Sequence, residues 1–243
     1  MNRCLSVSNL WVEREKNGAT FSLHIPSLEV LAGQTLAVVG QSGCGKSTLL
    51  DTLALILRPT RVEHFLLYPD AGDCTDLARA GSSALAAVRG RDIGYVLQSG
   101  GLLSFLSVRN NILLPGRLLE MPEHLLHERM EKLAERLGIA GQLDKKPQHL
   151  SGGQRQRVAI VRSLIHEPKL VFADEPTAAV DQETAGEIFA VFREIVREMR
   201  TALVVVSHDL QLVRRFADRM VTFALNRKDL AVRSVLVEEG NTA

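Results

Sequence analysis

An α/β fold with a mainly parallel sheet, an N-terminal antiparallel β subdomain and an inserted α-helical subdomain follows from three features of the 243-residue chain. A glycine-rich stretch, Gly40-Gln41-Ser42-Gly43-Cys44-Gly45-Lys46-Ser47-Thr48, sits between a short apolar run and a helix-like apolar run. Short apolar strands alternate with helical segments after it, which implies parallel strands covered on both faces. The opening instead carries a hairpin signal, Asn17-Gly18, and from Ser99 to Ile165 the texture changes to helices. The expected division is a single domain, with 1–98 and 166–243 as core and 99–165 as the helical insert.

The glycine-rich stretch reads G-x-x-x-x-G-K-S, the P-loop pattern, in the strand–loop–helix context that pattern needs. The core is therefore of P-loop NTPase type. Gly40, Gly43 and Gly45 let backbone N–H groups turn inward around a phosphate chain, with Gln41, Ser42 and Cys44 between them. The helix that follows adds the positive end of its dipole. Lys46 can reach the β- and γ-phosphates, the Ser47 hydroxyl can ligate Mg²⁺, and Thr48 is placed for a further phosphate contact.

Composition bounds the rest. Hydrophobic residues make up 46%, enough for a substantial core, and the net charge of +1 offers no bulk attraction to nucleic acid. No apolar run approaches the ~18–20 residues that span a bilayer. Met1 to Leu10 lacks the long apolar core of a signal peptide. Cys4, Cys44 and Cys74 are widely spaced and odd in number, which points to a reducing compartment without disulfides or a zinc site. Cys44 is read as a small space-filler inside the loop.

In chain order, Cys4 to Asn9 reads as an edge strand, paired through the Asn17-Gly18 turn with Phe21 to Ile25. A third strand enters the loop through Ala32-Gly33. Leu49 to Leu57 is a helix stopped by Pro59. Val62 to Tyr68 is a strand, Pro69 to Ser83 a surface loop, and Ala84 to Arg89 a short helix. Ile93 to Leu97 is a buried strand ending at Gln98. Leu126, Met130, Leu133 and Leu137 fall on one face of a helix over Glu123 to Leu137, which Gly138 ends. A helix runs from Gln154 to Ile165. Strands follow at Leu170–Ala173 and Ala202–Val206, with helices after Asp181 and from Leu210 to Ala217. A β-ribbon spans Met220 to Val237.

Leu150-Ser151-Gly152-Gly153-Gln154 narrows the function. With it the chain resembles the ATP-binding-cassette (ABC) ATPases, nearest the lipoprotein-release and macrolide-efflux group. Their motifs occur in family order: Walker A at Gly40–Thr48, Q-loop at Gln98, signature at Leu150–Gln154, Walker B at Leu170–Glu175, D-loop at Asp181 and H-loop at His208. The resemblance implies a head-to-tail dimer of two copies enclosing two Mg-ATP. The Walker A of one copy faces Ser151, Gly152, Gly153 and Gln154 of the other. A helix start at Ser151 suits this, because its unpaired N–H groups can face a γ-phosphate; an ordinary helix cap is the alternative for Ser151.

Three residues are expected to carry the chemistry: Glu175 as general base, His208 against the γ-phosphate, and Gln98 as sensor of metal or water. Asp174 ends an apolar strand, where a carboxylate needs a cation, and joins Ser47 and Gln98 around Mg²⁺. Ser207-His208-Asp209 is not a hydrolase triad, because adjacent residues on an extended segment do not converge. Asp181 serves either as a helix cap or at the dimer interface.

Two departures stand out. The position that usually sets an aromatic ring against adenine falls on Arg14, whose guanidinium plane can stack there, and Trp11 nearby is read as a core or surface aromatic. The segment after Gln98 lacks a customary proline and has Asn110 where a glutamate is usual. All catalytic positions are intact, so an active ATPase is expected. The leading reading is the ATPase subunit of a transporter, peripheral on the cytoplasmic face of the membrane, with the integral membrane permease on separate chains. A second is an ABC ATPase powering a non-transport membrane or cell-envelope remodelling complex. A third, a soluble DNA-repair or translation ABC protein, is disfavoured by the single cassette and the near-neutral charge.

Overall fold

The computed structural model describes residues 2–16, 18–69, 73–228 and 230–239, with the Lys16 side chain excepted. Asn17 of the expected hairpin turn lies outside the described residues, as do residues 70–72 of the expected loop. The strands are β1 Arg3–Lys16, β2 Ala19–Leu31, β3 Thr35–Val38, β4 His64–Leu67, β5 Thr75–Asp76, β6 Ile93–Val96, β7 Leu170–Asp174, β8 Ala202–Val206, β9 Arg219–Lys228 and β10 Ala231–Glu238. The helices are α1 Lys46–Leu53, α2 Ser82–Asp92, α3 Val108–Leu118, α4 Glu123–Arg136, α5 Gly152–Leu164, α6 Gln182–Glu198 and α7 Leu210–Phe216.

One sheet carries all ten strands, in the order β5-β4-β1-β2-β10-β9-β3-β8-β7-β6. The run β9-β3-β8-β7-β6 is wholly parallel. The β5-β4-β1-β2 end is antiparallel. The last strand joins the two, parallel to β2 and antiparallel to β9. The expected antiparallel opening is thus continuous with the parallel core.

Side-chain alternation divides the core in two. Ala37, Val171, Ala173, Leu203 and Val205 face one cluster, filled by α3, α4, α5 and α6. Leu36, Val38, Leu170, Phe172, Val204 and Val206 face the other, filled by α1, α2 and the inner faces of β1 and β2. Strands buried on both faces read as unbroken apolar runs, as β7 and β8 do.

Three expectations need correction. β1 extends well beyond Asn9 and is an interior strand between β2 and β4. Asn9 adopts φ 48°, a local break in the alternation, and pairing resumes at Leu10↔Ile25 and continues through Lys16↔Ala19. The polar run Glu13-Arg14-Glu15-Lys16 is held in the sheet by that long hairpin rather than by an apolar face. The stretch 69–83 is not all loop, because Thr75–Asp76 pairs with β4 and α2 starts at Ser82. The helix read over Ala84–Arg89 runs on to Asp92.

Close packing positions β6 against α5. A Cβ added to Gly94 would fall inside the van der Waals radius of the Ser163 carbonyl oxygen, which is backbone and cannot swing away. Gly94→Ala should therefore cost about 1–3 kcal/mol of stability, read as a lower denaturant midpoint. An unchanged midpoint would mean that β6 and α5 separate freely.

Candidate active site

β3 delivers the chain into the glycine-rich loop, and α1 leaves it at Lys46. Gly40 (φ 151°) and Gly45 (φ 107°) adopt backbone angles that side chains rarely accept. A Cβ on Gly45 would also meet the Phe21 ring at 2.9 Å. Gly45 caps α1 without any side-chain hydrogen bond, so the first N–H groups of α1 remain available to an anion. Cys44 is buried beneath the loop, and burial pushes its thiol pKa up. Its carbonyl oxygen accepts a 2.6 Å hydrogen bond from the Ser234 hydroxyl of β10.

Lys46 is 7% exposed. Its Nζ donates to the carbonyl oxygens of Gly40 at 2.8 Å and Gln41 at 3.1 Å. An ammonium has three donors, so one remains for a ligand. Ser47, next on α1, lies with its Oγ 3.4 Å from Asp174 Oδ2 at the end of β7. Burial, then the neighbouring Glu175 charge, holds the Asp174 carboxyl above the usual carboxylate range.

Glu175 sits just past β7 at φ 47°, a conformation rare outside glycine, with its N–H bonded to the Val206 carbonyl at 3.0 Å. Both of its carboxylate oxygens are engaged. Gln98 Nε2 donates to Oε2 at 3.3 Å, and His208 Nε2 lies 2.7 Å from Oε1. The ends of β6, β7 and β8 therefore converge on one carboxylate. Asp209 caps α7 by accepting from the Leu212 N–H at 2.9 Å, so Ser207, His208 and Asp209 do diverge.

A cavity of about 580 Å³ opens over these groups, lined by Ser42, Gly43, Gly45, Lys46, Ser47, Thr48, Gln98, Asp174, Glu175 and His208. Arg14 lines it too, from β1. Trp11 does not; it stacks on His24 with centroids 3.9 Å apart, and the Arg61 guanidinium lies 4.5 Å from its ring centre. Sequence reasoning missed Thr20 and Phe21 of β2 and Val232 of β10, which form the apolar wall beside Arg14. Phe21 is the cross-strand partner of Arg14, so an uninterrupted hairpin would have found it.

Ser151, Gly152, Gly153 and Gln154 do not line this cavity. Ser151 caps α5 in a reciprocal box: its Oγ accepts from the Gln154 N–H, and Gln154 Oε1 accepts from the Ser151 N–H. Gly152 and Gly153 pack on the loop before α6, where a Cβ would meet the Ala179 carbonyl at 2.9 Å and the Val180 side chain at 2.7 Å. Asp181 caps α6, accepting from the Thr184 N–H at 2.9 Å, and that bond holds its carboxyl below the usual range.

The family model described as ABC transporter matches residues 23–178. The chain is 40% identical over 198 residues to the lipoprotein-releasing system ATP-binding protein LolD of Maricaulis maris, covering 82% of this chain and 83% of that one. It is 37% identical to the macrolide export ATP-binding/permease protein MacB of Rhodopirellula baltica, over 89% of this chain and 31% of that longer protein. Among solved structures, the dimeric post-hydrolysis state of the ATP-binding cassette MJ0796 bound to ADP and Pi superposes with a TM-score of 0.78. Its identity is 27%, over 94% of this chain and 96% of that one. The chain belongs to the ABC transporter family, as one of its ATP-hydrolysing cassettes.

Proposed function

We propose that two copies of this chain close head-to-tail around two Mg-ATP and drive integral membrane permease subunits carried on separate chains. The observation that carries this reading is the Glu175 carboxylate, held between Gln98 and His208 beside Lys46 and Ser47. An exposed glutamate would swing freely. Here it is aimed at the space over the loop where a γ-phosphate would lie. Glu175 orients the attacking water and takes its proton. Lys46 and the α1 N–H groups hold the β- and γ-phosphates. His208 fixes the position of Glu175, and Gln98 links that position to the helical segment 99–165. Arg14 and Phe21 receive the base.

A divalent cation fits the donor set. Ser47 and Asp174 present hard oxygens 3.4 Å apart, and burial, then the Glu175 charge, holds the Asp174 carboxyl up. Mg²⁺ is commonly held by one or two protein oxygens plus substrate phosphates and water, so no larger carboxylate cluster is needed. When bound, the ion neutralises charge on the β- and γ-phosphates.

The dimer accounts for the placement of Ser151 to Gln154. In one copy they lie outside the cavity, with the N–H groups of the first turn of α5 left open apart from the capping bond. A second copy turned head-to-tail brings them over the γ-phosphate. The dimeric structure of MJ0796 supports an assembly of two copies.

The membrane partner is supported by the names of the relatives and by a groove of about 570 Å³ between α2, β6, α3 and α5. Ile93, Tyr95, Leu114, Leu118 and Leu119 line it, and Leu118 is 75% exposed. Among the described residues no helix is long and apolar enough to cross a membrane. A partner that remodels the envelope without moving a substrate would use the same surface.

Capture decides between partners. Glu175→Gln protein, loaded with Mg-ATP and mixed with detergent-solubilised native membranes, should retain a multi-span permease. Recovery of only soluble proteins or nucleic acid would remove the membrane assignment.

A further inference from the structure

The reading above uses two carboxylates, Asp174 and Glu175; a third lies further along α1, outside the cavity lining. The third is Asp51. It lies four residues after Ser47 on α1, one turn further along the same face. That face packs toward β7, where the Ser47 hydroxyl already meets Asp174. Asp51 is half-buried and has no cationic partner among the described ion pairs. Its Oδ1 accepts instead from the phenol of Tyr95 at 3.2 Å.

Tyr95 is well placed to hold it. On β6, Tyr95 pairs with Phe172 of β7, two residues before Asp174 and on the same face as Asp174. Burial, then the charges of Asp51 and Asp174, pushes the phenol pKa well above its ordinary value. Tyr95 therefore keeps its proton and remains a donor at any physiological pH. The Lys46 ammonium, which could otherwise offset such a charge, is tied to the loop carbonyls of Gly40 and Gln41.

A half-buried carboxylate with no cation, held in one orientation by a fixed donor, is costly unless something offsets its charge. We infer that Asp51, oriented by Tyr95, is an outer-shell carboxylate of the Mg²⁺ site, accepting hydrogen bonds from metal-bound water. The inference rests on the Mg²⁺ site proposed above. Asp51 is a positioning residue: it touches neither phosphate nor the attacking water. Outer-shell partners of this kind typically change metal affinity by about 10–100-fold when removed.

The test uses Mn²⁺, read by electron paramagnetic resonance, binding to the full-length chain with saturating ADP. Asp51→Asn keeps the size of the side chain and removes its charge, and should weaken Mn²⁺ binding about tenfold. Tyr95→Phe removes only the orienting donor and should shift it in the same direction, by about two- to threefold. ADP affinity in the presence of EDTA should stay within about twofold in both variants, since neither residue meets the nucleotide directly. Unchanged Mn²⁺ affinity alongside a lowered melting temperature would overturn the inference and leave the pair as a tie between α1 and β6. Failure of the unmodified chain to bind ADP at all would instead overturn the nucleotide reading itself, so the two failures are distinguishable.

Discussion

Glu175→Gln should reduce ATP turnover by about 10²–10⁴-fold while leaving ATP binding intact, as expected for removal of a general base. The substitution preserves shape and both hydrogen-bonding positions. The amide oxygen can still accept from His208 or Gln98, which now hold Glu175 at 2.7 and 3.3 Å. What it loses is the capacity to take a proton from water. It also removes one negative charge beside the γ-phosphate, so the closed dimer should accumulate with ATP. Single-turnover hydrolysis and size-exclusion chromatography with and without Mg-ATP read the two effects separately. Wild-type turnover in this variant would exclude Glu175 as the base. Slow turnover without an ATP-dependent gain in mass would keep the base and remove the dimer.

Lys46→Ala should weaken ATP binding about 10–100-fold, the effect of losing a charge-assisted hydrogen bond at a buried phosphate site. The ammonium is almost fully buried and has one donor left after Gly40 and Gln41. The same two bonds pull the loop carbonyls inward, so the variant also loses a brace of the loop. Isothermal titration with ATP gives the affinity, and circular dichroism shows whether the fold survives. Unchanged affinity would remove the phosphate role of Lys46 and with it the central assignment of the loop.

The parallel half of the sheet was legible because burial on both faces writes itself as apolar runs. Leu170–Ala173 and Ala202–Val206 end within one residue of the observed strands. The site was legible for a related reason: Gln98, Glu175 and His208 each follow such a run, so a parallel sheet must bring them to one edge. The antiparallel half was harder. Residues 10–16 carry four charged side chains and one half-buried tryptophan, and their pairing is set by a partner strand rather than by their own pattern. The apolar wall of the cavity was missed for the same cause. Phe21 and Val232 lie next to each other across β2 and β10, a pairing between distant stretches that no local window contains. Asp51 carries no motif, and only the approach of Tyr95 singles it out.

The insertion of β10 between β2 and β9 has a consequence for the order of assembly during synthesis. The Cys44 carbonyl, inside the phosphate loop, is secured by a hydroxyl 190 residues later in the chain. In the strand order of the sheet, the hairpin of β1 and β2 joins the parallel run through that same late strand. A nascent chain in which β10 is still within the ribosome would have a loop without its tether and a β2 edge without its partner. Such an edge recruits other strands, so the open interval is the one in which misassembly competes with folding. Nucleotide-binding competence should therefore arrive late and abruptly on a nascent chain, with the last strand rather than with the loop itself.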